Sequence, residues 1–240
     1  LLDALKLKSR KSYVESIFLA DLNLVKNIIK SNGYYFSEIK TSTVKNEVQN
    51  TVKIIYDVDL GKKAKINSIK FIGDKKIKDR KLRNIITSEE SRFWKFISNK
   101  IYLDKQRINL DKRLLKNYYK NNGFYNAKVE NSFIEFKDNG SFGLTFNIDS
   151  GEKFIFNKID IELTKDFDPR YFESITKVMK KLENETYSLY KVEKILKEID
   201  KIALSKQYEF INADLLEEII GENKLNLTIK LVETKKLYVE

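Results

Sequence analysis

The spacing of apolar residues along segment 66–148 changes repeatedly, and each change marks an element. In Ile66-Asn67-Ser68-Ile69-Lys70-Phe71-Ile72-Gly73, Ile69 and Phe71 lie two apart and a glycine closes the run, which predicts a strand. Leu82, Ile85 and Ile86 then take helical spacing, predicting a short helix over 79–86. A longer connection, 87–101, carries Arg92-Phe93-Trp94-Lys95-Phe96-Ile97. A second helix is predicted from a cap at Asp104 to about Asn121, with Ile108, Leu115, Tyr118 and Tyr119 along one stripe. Gly123 ends it, because glycine adopts the left-handed C-terminal conformation without a side-chain penalty. Two strands are predicted next, 124–136 and 142–148, joined by the hairpin signal Lys137-Asp138-Asn139-Gly140-Ser141. The order β-α-α-β-β defines an α+β unit.

The same pattern occurs three times. Gly33-Tyr34-Tyr35 returns as Gly123-Phe124-Tyr125 and, degraded, as Gln207-Tyr208-Glu209, with steps of 90 and 84 residues. Val58-Asp59-Leu60-Gly61-Lys62-Lys63, Ile148-Asp149-Ser150-Gly151-Glu152-Lys153 and Val232-Glu233-Thr234-Lys235-Lys236 repeat with those same steps. Two anchors sharing both offsets identify a tandem array of small units. The stripe of the second helix falls in register as Phe18/Ile108/Val192, Val25/Leu115/Ile199, Ile28/Tyr118/Ile202 and Ile29/Tyr119/Ala203. The first strand matches as Ile66/Phe156, Asn67/Asn157, Ile69/Ile159 and Phe71/Ile161. Shared apolar positions imply a shared core, one helix face covering one sheet face. The expected units are 1–64, lacking its first strand, then 65–152 and 153–240. The chain begins within an apolar helical stretch, as a segment of a longer protein would. In the third unit Asp168-Pro169 should open the first helix, and Gln207 in place of glycine implies a differently closed helix end.

Charge singles out the middle unit. The chain carries a net charge of +11. Of this, 65–152 holds +8 (19 basic, 11 acidic), against +4 for 1–64 and −1 for 153–240. Lys75, Lys76, Lys78, Arg80, Lys81 and Arg83 cluster around its first helix, with Phe93, Trp94 and Phe96 close by in sequence. Such a field suits acidic proteins, lipid headgroups or nucleic acid. An array that tracks phosphates would be basic throughout, and each aromatic also admits a packing role, so no nucleic-acid partner is expected. The chain has no His and no Cys, which removes the commonest general base and the best zinc ligands. Glu89-Glu90 and Glu217-Glu218 are adjacent pairs of the kind that solvent usually surrounds. The residues point to a protein that is not an enzyme and needs no metal or cofactor.

One strand of the middle unit breaks its own alternation. Tyr125, Ala127 and Val129 share one parity, whereas Ile134 and Phe136 hold the other, with Phe133 between. Because successive side chains alternate faces, the switch near Asn131-Ser132 predicts a β-bulge or an end to core packing. Some of Phe133, Ile134 and Phe136 should then lie outside the local core. Asn131, Ser132, Phe133, Ile134, Glu135 and Phe136 are thus candidates for an edge that accepts a partner strand by β-augmentation.

Taken together, these residues carry a resemblance. Tandem β-α-α-β-β units with Asn-Gly-aromatic after the second helix and Ile148-Asp149-Ser150-Gly151-Glu152-Lys153 between units resemble POTRA domains. Phe93-Trp94-Lys95, Tyr102-Leu103-Asp104-Lys105-Gln106-Arg107 and Tyr118-Tyr119-Lys120-Asn121-Asn122-Gly123-Phe124 are most similar to the third such domain of outer-membrane protein assembly factors, which places 1–64 and 153–240 at the second and fourth. The resemblance implies three-stranded mixed sheets covered by two helices, in the periplasm, as part of an outer-membrane protein. It implies as partners unfolded outer-membrane proteins, an accessory lipoprotein resembling BamB docking on 131–136, and the protein's own C-terminal β-barrel. The remaining alternatives are a POTRA arm of a related secretion or assembly transporter, or a basic module for RNA or membrane surfaces.

Overall fold

The computed structural model describes residues 2–94, 98–137, 141–206, 208 and 211–233. Three sheets follow one another along the chain. The first is a two-stranded antiparallel sheet of β1 (Glu38–Asn46) and β2 (Thr51–Asp59), preceded by helix α1 (Glu15–Ser31). The second comprises β3 (Lys65–Asp74), β4 (Lys128–Lys137) and β5 (Ser141–Asp149) in the order β3-β5-β4, with helices α2 (Asp79–Arg83) and α3 (Lys105–Asn121) between β3 and β4. The third comprises β6 (Ile155–Leu163), β7 (Ile211–Ile220) and β8 (Lys224–Glu233) in the order β6-β8-β7, with helices α4 (Glu173–Leu182) and α5 (Leu189–Ser205) between β6 and β7. There β8 pairs parallel with β6 and antiparallel with β7, so the sheet is mixed.

The stripe positions sort by burial as their register requires. Phe18, Ile108 and Val192 are buried, as are Val25, Leu115 and Ile199, and likewise Ile29, Tyr119 and Ala203. Ile28, Tyr118 and Ile202 are partly exposed in all three helices. Equal offsets from the sheet thus give equal burial, as one helix face covering one sheet face demands.

Two elements differ from the sequence expectation. Helix α2 stops at Arg83 instead of reaching Ile86, and a turn closed by Ile85 N–H to Leu82 O (3.0 Å) follows. Residues Phe124–Ala127 form a turn, with Ala127 N–H donating to Phe124 O (3.1 Å), so β4 begins only at Lys128. The hairpin tip between β4 and β5, 138–140, lies outside the described residues.

Contacts divide the chain into two compact units. One contains Leu1–Ile72, Asp79–Lys112 and Asn131–Asn147; the other contains Gly73–Lys78, Arg113–Glu130 and Ile148–Glu240. Each holds one joint between successive repeats, and the two joints use the same atoms. In the first unit Ala64 N–H donates to Gly33 O (2.8 Å) and Leu103 N–H to Ala64 O (2.9 Å). In the second, Phe154 N–H donates to Gly123 O (2.8 Å) and Tyr187 N–H to Phe154 O (2.9 Å). Lysine ammonium groups lie over an aromatic face in both, Lys63 5.1 Å from the Tyr34 ring and Lys153 5.5 Å from the Phe124 ring.

The second unit holds a continuous apolar core. Phe156 and Ile159 of β6, Leu225, Leu227, Ile229 and Leu231 of β8, Ile175 and Met179 of α4, and Val192, Ile195 and Ile199 of α5 interlock there. In the first unit a smaller cluster beneath α1 joins Leu5, Val25 and Ile29.

Candidate partner-binding edge

Strand β4 is an edge strand, bonded to β5 alone within its sheet. Its backbone continues unbroken as strand through Asn131–Phe136, the segment singled out by its parity switch. The side chains of Asn131, Ser132 and Phe133 lie outside the described residues, and with them the expected bulge. Ile134 is 43% exposed and Phe136 is 54% exposed.

The two faces of this edge differ in chemistry. On one, a Cβ built on Gly143 would meet Ser68 Oγ at 3.3 Å, Lys137 Cε at 3.4 Å and Glu135 Oε2 at 3.7 Å. The missing side chain at Gly143 lets Lys137 Nζ reach across β5 and donate to Ser68 Oγ on β3 at 3.2 Å. On the other face Phe136 meets Phe142 at 5.5 Å and Phe36 at 5.3 Å between ring centroids, while Tyr35 meets Phe142 at 5.6 Å. Phe136 is therefore seated in an aromatic cluster that ties the turn after α1 to the β4–β5 hairpin. By strand alternation Ile134 shares the face of Phe136, and it is partly exposed beside it.

A second apolar edge escaped the sequence reading. Strand β7 is also bonded on one side, and it exposes Leu215, Leu216, Ile219 and Ile220. Paired apolar residues fit neither face of a half-buried strand, and that pairing was the available signal. Glu217 on this strand is not simply solvated: its Oε2 accepts from Tyr125 OH at 2.7 Å. Partial burial, and then this bond to a carboxylate, pushes the Tyr125 phenol up to about 12.

Two members of the basic cluster of the middle repeat, Lys76 and Arg83, are tied down. Lys76 Nζ donates to Glu152 Oε1 (2.6 Å) and Gly151 O (2.9 Å). Arg83 pairs with Glu90 and donates to Ile69 O (2.7 Å). Glu90 also accepts from Ile69 N–H at 2.9 Å. Burial alone would raise its carboxyl, but these bonds from Ile69 and Arg83 outweigh burial and hold it below the usual range. Neither Glu90 nor Glu217 is thus a plain solvated carboxylate. The packing roles open to Phe93 and Trp94 are not taken up, since Phe93 is 88% and Trp94 55% exposed; Phe96 lies outside the described residues.

Two buried carboxylates also escaped notice, although the 90-residue step relates them. Asp21 accepts from Lys6 N–H (3.0 Å) and Leu7 N–H (2.8 Å), and Asp111 from Thr87 N–H (2.6 Å) and Ser88 N–H (3.1 Å). Their signal was an acid on the apolar side of a helix. Among the described residues no group of three or more His, Cys, Asp or Glu side chains is arranged to hold a metal ion. No helix among them is long and apolar enough to cross a membrane.

Repeated helix-on-sheet units, exposed sheet edges and joints bonded through equivalent backbone groups define a protein of tandem modules. The chain belongs to the POTRA family: the model described as "Surface antigen variable number repeat" matches residues 1–61 and 64–151. It is similar to outer membrane protein assembly factor BamA of Buchnera aphidicola subsp. Acyrthosiphon pisum, at 24% identity over 231 residues, covering 87% of this chain and 36% of that protein. It is also similar to the BamA of Neisseria meningitidis serogroup B, at 27% identity over 123 residues, covering 51% of this chain and 15% of that one. The chain thus spans about a third or less of the length of these relatives. Among solved structures, POTRA domains 3–5 of Haemophilus influenzae BamA superpose with a TM-score of 0.52 at 20% identity, covering 94% of this chain and 83% of that one. This likeness establishes the fold: tandem POTRA domains.

Proposed function

We propose that this chain is the periplasmic POTRA arm of an outer-membrane protein, serving the assembly and insertion of β-barrel outer-membrane proteins. The family membership and the BamA relatives support the setting. The observation that carries the mechanism is the edge position of β4 with Ile134 exposed upon it. An unpaired strand edge offers a row of N–H and C=O groups, and a partner strand satisfies them without demanding particular side chains. Clients would be unfolded outer-membrane proteins, held extended by weak strand addition along 131–136. An accessory lipoprotein resembling BamB would use the same edge, with Ile134 as its apolar anchor. The chain would act without covalent chemistry, as three domains, 1–64, 65–152 and 153–240, in front of its own C-terminal β-barrel.

The test is substitution of the exposed anchor. Ile134→Asp should abolish co-purification with an extended client or lipoprotein while leaving the circular dichroism spectrum unchanged. Binding that survives Ile134→Asp would remove β4 from the mechanism. Phe136→Asp is the poorer probe, because Phe136 also packs on Phe36 and Phe142.

A further inference from the structure

The most exposed aromatic side chain described is Phe93, and its ring meets Trp94 edge-to-face at 4.4 Å. Two neighbouring large rings left in water are costly, since each removes apolar surface from solvent once it finds an apolar medium. Both rings are exposed, at 88% and 55%, and their setting is cationic. The Arg92 guanidinium sits 5.5 Å from the Trp94 ring centroid. Behind it opens a cleft of about 450 Å³ lined by Arg83, Ser88, Glu89, Glu90, Arg92 and Lys100 among others.

The charges of this cleft fall into a fixed set and a loose set. Arg83, Glu90 and the Ile69 backbone are locked together by the bonds described above. Arg92 and Lys100 are held loosely, 3.5 Å from Glu90 and 3.9 Å from Glu89, with side chains 53% and 59% exposed. Ser88, only 3% exposed, lines the same cleft, and its hydroxyl has no hydrogen-bond partner among the described residues. Two partly exposed cations, an unused hydroxyl donor and an adjacent aromatic pair match an amphiphile that has a phosphate next to an apolar body.

We propose that the Phe93–Trp94 loop docks on a phospholipid bilayer. The two rings enter the interface between headgroups and acyl chains, and Arg92 and Lys100 take headgroup phosphates at the mouth of the cleft. Aromatic rings favour that level of a bilayer because one part of it is apolar and the other wet, and cations beside them gain from anionic lipid. This contact is independent of the β4 edge, so either can fail alone.

Trp94 is the chain's one tryptophan, so intrinsic emission reports this loop directly. With vesicles of phosphatidylethanolamine and phosphatidylglycerol, Trp94 emission should move to the blue and be quenched by brominated acyl chains. The doubly substituted chain Phe93→Ser, Trp94→Ser should lose vesicle co-sedimentation by roughly tenfold or more, the scale of one buried aromatic side chain. Arg92→Glu with Lys100→Glu should weaken the emission change, and raised salt should do the same to the unsubstituted chain. Ile134→Asp should leave it unaltered. Both rings are exposed, so circular dichroism should confirm that every variant folds. Emission that ignores vesicles, or co-sedimentation that survives loss of both rings, would overturn the proposal. So would a blue shift with an extended apolar peptide but none with vesicles, since the loop would then be a protein contact. A response to inorganic phosphate alone, without the apolar phase, would equally overturn it.

Discussion

Helices α3 and α5 present the same apolar stripe at the same registers, yet one buried position differs in kind. It is Asp111 in α3 and Ile195 in α5, 0% and 4% exposed. The cause lies in the preceding helices. Helix α2 has five residues and α4 has ten. Glu90 and Glu183 provide a common mark, since they accept from the equivalent N–H groups of Ile69 and Ile159. Counted from that mark, Thr87 and Ser88 correspond to Lys180 and Lys181, which lie inside α4. Where the helix stops early, two N–H groups are left over and a buried carboxylate meets them. Where it continues, it satisfies its own N–H groups, and the position can hold an aliphatic side chain. Asp21 repeats the first solution against Lys6 and Leu7. One fold thus closes the same layer by two chemistries, and helix length selects between them.

Exchanging the two solutions should break the comparison most severely. Ile195→Asp puts a carboxylate without arranged donors into the apolar core and should cost roughly 3–5 kcal/mol. Asp111→Ala strands the Thr87 and Ser88 N–H groups and should cost about 2–4 kcal/mol. Denaturant midpoints of the two variants decide the matter: if Ile195→Asp behaves as a surface substitution, helix length does not control this position.

The joints give a finer contrast. Gly33 and Gly123 both hold positive φ, +91° and +97°, where a Cβ costs about 1–2 kcal/mol. A Cβ at Gly123 would also lie 2.6 Å from Thr186 Cγ2, whereas at Gly33 the nearest atom is Leu103 O at 3.4 Å. Gly123→Ala should therefore lower the thermal midpoint more than Gly33→Ala, and Thr186→Ser should recover the difference. The smallest effect concerns two buried tyrosines. Tyr119 OH donates to Lys75 O, while Tyr187 OH finds no partner among the described residues. Tyr119→Phe should cost about 1 kcal/mol, and Tyr187→Phe should be neutral or stabilising by the same measure.

What the sequence made legible was whatever repetition and periodicity express. The stripe registers and the cap at Asp104, whose side chain accepts from Gln106 N–H at 2.8 Å, follow from local spacing. The end of α2 did not: the N–H groups left over beyond it, at Thr87 and Ser88, are met by Asp111, 24 and 23 residues away along the chain. The third helix end gave a similar lesson. Gln207 lies outside the described residues, but Tyr208 N–H still donates to Ala203 O (3.1 Å), as Tyr34 does to Ile29 and Phe124 to Tyr119. The bond is backbone to backbone, so it outlasts the loss of glycine from the sequence. At the candidate edge, parity located β4, but pairing between rings from distant segments, Phe36 against Phe136, is not written in any local pattern.

Two edges now compete for the role of partner strand. Strand β4 offers Ile134 beside a seated Phe136, and β7 offers four exposed aliphatic residues with Glu217 held by Tyr125. Strand addition bonds main chain to main chain, so amide hydrogen exchange reads it more directly than any side-chain substitution. With an extended client peptide added to the full chain, amides of β4 across 131–137 should slow while those of β7 keep their free-state rates. Protection confined to β7, or no protection on either edge, would contradict the assignment of β4 as the client-binding strand.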